Sequence, residues 1–131
     1  MENFTIVRPE HLNHHGVLFG GQLLLWVDEY AWLVAARDFP GYRLVTRAME
    51  RSEFRTPVTS GAILRFSILP VHVGEHSVTY SVDVYADQAG SEGVAAPDEV
   101  HVFSNRVTFV CVDDQGRKRS LPRRERLRSQ G

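Results

Sequence analysis

Cysteine occurs once in 131 residues, at Cys111. A single thiol excludes an intramolecular disulfide framework and a cysteine zinc cluster, and it suits a reducing compartment, the cytoplasm. Surplus charge is missing as well, since fifteen Lys and Arg stand against sixteen Asp and Glu, a formal net charge of −1. A chain held to nucleic acid by a global positive field is not built this way. Met1, Glu2, Asn3 and Phe4 show neither the basic nor the apolar region of a signal peptide. The longest apolar stretch, residues 22–36, falls short of the ~20 residues of a membrane span and holds Asp28 and Glu29 at its centre. No internal repeat and no low-complexity tract is found. What remains, 43% hydrophobic and 24% charged residues, is an ordinary globular composition in a length that fits one domain.

The near-zero charge hides an asymmetry. Residues 117–131 contain seven basic residues and one acid, Glu125, a surplus of six, whereas the first 116 residues hold eight basic and fifteen acidic ones, a deficit of seven. The division suggests a domain over 1–116 and a basic, flexible tail over 117–131. The tail lacks aromatic and β-branched residues, so it reads as a solubilising terminus, or else as an arm that meets phosphates.

One segment has the makings of a substantial helix. Residues 22–36, QLLLWVDEYAWLVAA, contain three polar side chains and are bracketed by Gly20-Gly21 and Pro40-Gly41. Such a helix runs about 22 Å and is apolar on all sides, so it needs cover nearly all round. Strand patterns follow over 42–54, 62–73, 76–87 and 99–113, with a tight hairpin at Gly74-Glu75 and a loop over 88–98. A short strand over 4–8 joins an edge. Consecutive strands with short turns predict an antiparallel sheet, and an α+β fold with that sheet around the helix is the economical burial solution. One sheet cannot enclose the helix completely. A second copy is therefore expected to cover the rest.

Chemistry points first to Asp28, whose helical neighbours Leu24, Leu25, Ala31 and Trp32 are all apolar. A carboxylate in an apolar crevice serves as base or nucleophile, unless it or Glu29 simply pairs with Arg47 or Arg51. Gly20 and Gly21 at a helix start allow close approach to a ligand, and their N–H groups favour developing negative charge, the physics of an oxyanion hole. Asn13 offers an amide for a water or carbonyl, or plain turn chemistry. His11, His14 and His15 invite a metal reading, but Gly16 interrupts any helix and no acid or cysteine cluster completes a site, so no metal is expected. Cys111, in the apolar run 107–112, reads as a buried structural thiol.

Several strings occur in one order: Asn13-x-x-Gly16-x-x-Phe19-Gly20-Gly21-x-x-x-x-Trp26-x-Asp28, Val45-Thr46, Phe54-x-x-Pro57-Val58-x-x-Gly61, Val73-Gly74-x-x-Ser77 and Thr108-Phe109-Val110-x-Val112-Asp113, with Pro122 closing the match. Over residues 7–122 the chain resembles the hot-dog-fold acyl-CoA thioesterases. The resemblance implies a hot-dog fold paired as a double hot-dog, and leaves open a homodimer, a tetramer or a hexamer built as a trimer of dimers. It implies hydrolysis of an acyl-CoA to a free acid and CoA, with no cofactor beyond the CoA of the substrate and no nucleic-acid or membrane partner. Asp28 matches the catalytic acid, Asn13 the asparagine that faces it across the dimer interface, and Gly20 and Gly21 the amides that polarise the thioester carbonyl. Arg55, Gly74, Ser77 and Thr46 are the candidates for substrate and CoA contacts. Two departures stand out: Ala62 follows Gly61 where many relatives carry Gly-Asp, and His14-His15 replaces a smaller loop. A non-catalytic acyl-CoA sensor is the alternative, while a hot-dog dehydratase would call for a histidine on the central helix, which holds none.

Overall fold

A computed structural model describes residues 1–50, 52–87 and 99–122. Arg51, the loop expected over 88–98 with Val94, Ala95 and Ala96, and the tail from 123 onward lie outside the described residues. The element order is β1 (Glu2–Ile6), a 3-10 turn (Pro9–His11), α1 (Gly20–Asp38), β2 (Arg43–Met49), β3 (Glu53–Phe54), β4 (Ile63–Val73), β5 (Ser77–Asp87) and β6 (Val100–Val112). The strands form one antiparallel sheet in the order β1-β4-β5-β6-β2, and β3 also pairs with β6. The α+β hot-dog architecture expected from the sequence is the one observed.

Period-two alternation aims Leu64, Phe66 and Ile68 of β4, Val78, Tyr80, Val82 and Val84 of β5, and Val107, Phe109 and Cys111 of β6 inward. They meet Leu23, Trp26, Val27, Ala31, Val34 and Ala35 on one side of α1. The all-round apolar character of the helix leaves the other side uncovered: Leu25, Trp32 and Leu33 are 57%, 41% and 47% exposed.

Three local departures from the sequence expectation have physical causes. The helix begins on Gly20 and continues to Asp38, two residues beyond the expected span at each end, and at its C-terminal end Asp38 has a partner: the buried Tyr80 hydroxyl donates to its Oδ2 at 2.7 Å. The single extended segment expected over 42–54 is broken into β2 and β3, with a bulge at Arg47 and a detour at Ser52, whose Oγ accepts from the buried Asn105 amide at 2.8 Å. Pro70 sits within β4, where β1 has already ended at the level of Ser67, so its missing N–H leaves no ladder bond unmade on that side.

The boundary expected at residue 116 falls in a tight turn. Gly116 takes φ +80°, and the Asp113 carboxylate accepts from the Gln115 and Arg117 amides, which hold its pKa below the ordinary value. Ordered backbone continues past it: Arg119 N–H donates to Cys111 O, Leu121 N–H donates to Glu75 O, and the Arg119 guanidinium lies 4.3 Å from the Tyr42 ring centre. The basic segment thus starts against the β4–β5 turn.

Tyr80 and Asp38 clamp the end of α1 to the middle of the sheet. Burial, with Asp38 beside it, pushes the Tyr80 phenol far above its ordinary value of 10. Stability from this group is intact below pH 10 and is lost as pH climbs past it, because the unfolded chain releases a proton that folded Tyr80 keeps. Tyr80→Phe is expected to cost about 1.5–3 kcal/mol in denaturant unfolding at pH 7 and to flatten the alkaline limb of the stability profile. An unchanged midpoint and alkaline limb would show that the clamp contributes nothing.

Candidate active site

The loop before α1 is built on Asn13. Its Oδ1 accepts from the His15 and Val17 amides at 2.9 and 3.4 Å, and its backbone N–H donates to Val17 O. This is turn chemistry, and it consumes only the carbonyl end of the amide. Two further bonds fix the loop: Leu18 N–H donates to Val58 O at 2.7 Å, and Phe19 N–H donates to His11 O at 2.9 Å. His11 itself is structural, since its Nδ1 accepts from the Arg8 amide and its ring stands edge-on to Trp26 at 4.7 Å. His14 and His15 lie ring against ring in the exposed part of the loop.

Phe19 precedes the helix and supplies no side-chain cap, while its carbonyl accepts from Gln22 and Leu23. Among the described residues, the Gly20 and Gly21 amides donate to no backbone carbonyl. They are orphan donors at the positive end of α1. Aromatic rings crowd them: a Cβ on Gly20 would lie 3.4 Å from Cζ of Phe54, and one on Gly21 would lie 2.5 Å from Cε1 of Phe19.

Asp28 lies two turns further on, half-buried, beside exposed Leu25 and Trp32. It does not pair with Arg47. Its Oδ1 instead accepts the Thr46 hydroxyl at 2.7 Å, while neither Asp28 nor Glu29 joins an ion pair among the described residues. Thr46, expected at the CoA, is thus in contact with the acid. The reason is local: strand alternation puts Leu44 and Thr46 on the same face of β2, ahead of the bulge at Arg47, and Leu44 O accepts the Trp32 indole N–H at 2.9 Å. Within one protomer this acid faces an open surface rather than the apolar crevice expected from its neighbours.

The remaining candidates separate. Arg55 pairs with Glu53 at 3.1 Å on the surface, and its backbone N–H donates to Val102 O, which places it at the helix-start end. Gly74 and Ser77 close the β4–β5 turn by a 2.7 Å backbone bond, and Ser77 is opposite Val110. Eight residues of β6 separate these ends, about 26 Å. Arg55 and the turn cannot grip one phosphate group within a protomer.

A family model described as thioesterase superfamily matches residues 15–92, a span that contains the helix-start glycines, Asp28, Thr46 and the whole of β4 and β5. The chain belongs to the thioesterase superfamily. It is 32% identical to mouse acetyl-coenzyme A thioesterase over 94% of this chain, and it spans 22% of that longer protein. It is 30% identical over 91% of its length to an acyl-CoA thioester hydrolase of Haemophilus influenzae, 75% of which is covered. A hexameric broad-specificity acyl-coenzyme A thioesterase superposes with a TM-score of 0.82 at 28% identity, covering 98% of this chain and 84% of that one. A Staphylococcus aureus acyl-CoA hydrolase, solved with butyryl coenzyme A and coenzyme A, superposes at 0.81 with 26% identity over 93% and 71%. No described helix is long and apolar enough to cross a membrane.

Phe54 is the neighbour that the residue-by-residue reading left without a role. Its signal lay in the Phe54-x-x-Pro57-Val58 string, but only the fold carries that string to Gly20.

Proposed function

We propose that this protein hydrolyses acyl-CoA thioesters to a carboxylic acid and CoA. The observation that carries the reading is Asp28, oriented by the Thr46 hydroxyl on the one uncovered side of an apolar helix. With Oδ1 engaged, Oδ2 is left for the reaction. It takes a proton from the attacking water, or it attacks the thioester carbon itself to give a mixed anhydride that water then opens. Either way the C–S bond breaks and CoA leaves as the thiol. The Gly20 and Gly21 amides stabilise the carbonyl oxyanion, and Asn13 orients the water or the thioester through its amide nitrogen.

The site takes two protomers. Gly20 and Asp28 are eight residues apart on one helix, about 12 Å in rise, whereas base and oxyanion donors must both lie about 3 Å from the atoms they serve. β2 ends the strand order and so has a free edge, and antiparallel pairing through it would set the acid of one helix against the glycines and Asn13 of the other. It also covers Leu25 and Trp32. If Arg55 and the 74–77 turn both hold one CoA, they come from different protomers. The hexameric relatives make a trimer of such pairs the assembly to look for. Buried, unpaired Cys111 suits the reducing cytoplasm.

Release of CoA from a panel of acyl-CoAs tests the reading. Turnover is expected, and tight binding without any release would instead favour an acyl-CoA sensor. Thr46→Val is expected to lower kcat about tenfold with KM nearly unchanged, since it removes a charge-assisted hydrogen bond to the acid rather than a substrate contact. A rise in KM at constant kcat would return Thr46 to the CoA site.

A further inference from the structure

We propose that the acyl chain of the substrate occupies a cavity at the start of α1 and that Phe54 sets the chain length this cavity takes. The proposal rests on the thioesterase reading and names its substrate class as uncharged acyl chains of short to medium length.

The cavity measures ≈ 330 Å³, and its floor is made by Leu23, Val58 and Val102, which are 3%, 4% and 2% exposed. Val17, Phe54 and Arg55 stand at its rim. The floor side chains belong to the hydrophobic core, so the cavity is a dead end rather than a passage. Phe54 joins it to the chemistry. The ring lies against Gly20, where an added Cβ would be 3.4 Å away, and it packs on buried Phe103 with ring centres 4.9 Å apart. Neither glycine lines the cavity itself, so Phe54 stands between it and a carbonyl oxygen held by the Gly20 amide.

A thioester carbonyl carries two arms. The CoA arm ends in a phosphorylated nucleotide, which an apolar floor of core side chains cannot take without stranding charge away from water. The acyl arm ends in a methyl group and fits. Arg55 is the one charged residue in the lining, and it is already paired with Glu53 at the rim. Nothing on the floor would compensate a terminal carboxylate, so the chain is uncharged. The volume, near the lower end of the roughly 300–1,000 Å³ of small-molecule sites, has room for short to medium chains. The wall is firm on the loop side, where Leu18 N–H is bonded to Val58 O at 2.7 Å.

The test compares wild type, Phe54→Ala and Val17→Phe on straight-chain acyl-CoAs from acetyl to palmitoyl. In wild type, kcat/KM is expected to rise about fourfold per methylene and then to fall once the cavity is full. Phe54 is 55% exposed, so its truncation leaves the core standing. Phe54→Ala is expected to move the optimum to longer chains and to raise the long-to-short ratio about tenfold or more. Val17→Phe narrows the mouth and is expected to move the optimum the other way. Affinities for the matching S-alkyl-CoA thioethers, which cannot be hydrolysed, should show the same shifts. Chain-length profiles that superimpose for all three folded proteins, in both turnover and affinity, would overturn the proposal. Shifted affinities in a protein that hydrolyses nothing would support the cavity assignment and overturn the thioesterase reading instead.

Discussion

Under the proposed thioesterase activity, Asp28→Asn is expected to reduce kcat by about 10²–10⁴-fold on each acyl-CoA substrate. The amide keeps the shape of the carboxylate, and its oxygen can still accept from Thr46, so the helix and the Asp28-to-β2 contact survive. Both proton abstraction and nucleophilic attack are lost, because a neutral carboxamide does neither at pH 7. Folding is not at issue, since Asp28 is half-buried beside exposed side chains rather than packed in the core. The measurement is CoA release at saturating substrate, with substrate affinity as the control. Turnover within about twofold of wild type would place the base elsewhere.

Mixing two inactive variants is expected to restore activity. If each site combines Asp28 of one protomer with Asn13 and the glycine amides of the other, a pair formed from Asp28→Asn and Asn13→Ala chains contains one site with both lesions and one with neither. Random pairing makes about half of all pairs mixed, and half of their sites intact, so about a quarter of wild-type activity returns. This is a change from near background, in a direction that no effect on stability can imitate. A site contained within one protomer gives no recovery, because each chain brings its own lesion to it. The variants need co-refolding or co-expression so that protomers exchange, with CoA release and oligomer mass read on the same sample. The expectation follows from the helix geometry: a rise of about 12 Å from Gly20 to Asp28 keeps one helix from presenting both to one carbonyl.

Much of the fold was legible because periodicity reports directly on burial. Strand alternation marked β4, β5 and β6 closely, and the missing polar face of 22–36 marked a helix that a single sheet cannot cover. The ends of that helix were less legible. Asp38 is a poor residue for a helix C-terminus on local grounds, and there it accepts the hydroxyl of Tyr80, forty-two positions away. The break between β2 and β3 was hidden for the same reason, since Asn105 holds Ser52 from a strand far along the chain.

The site divides in a similar way. Asp28, Asn13, Gly20 and Gly21 stood out because each is chemically odd for its place: an acid in an apolar run, an amide in a glycine loop, two glycines at a helix start. Thr46 and Phe54 are ordinary strand residues. What marks them is what they touch, the Asp28 carboxylate in one case and Gly20 in the other. Arg55 and the 74–77 turn both looked suited to phosphates, and nothing local revealed that they sit at opposite ends of β6.

One cysteine and a near-zero net charge removed disulfide frameworks, cysteine zinc clusters and a globally basic nucleic-acid binder from consideration, because composition limits what a chain can build wherever its residues fall. Residue order along the chain determined the element sequence, the apolar helix and the acid within it, because neighbours three and four positions apart must meet on a helix. Tertiary structure alone decided that Thr46 orients Asp28, that Phe54 walls a cavity beside Gly20, and that the basic segment begins against the β4–β5 turn. Those contacts join residues from distant parts of the chain, and register, bulge and sheet curvature, none of them local properties, set which atoms come within bonding distance.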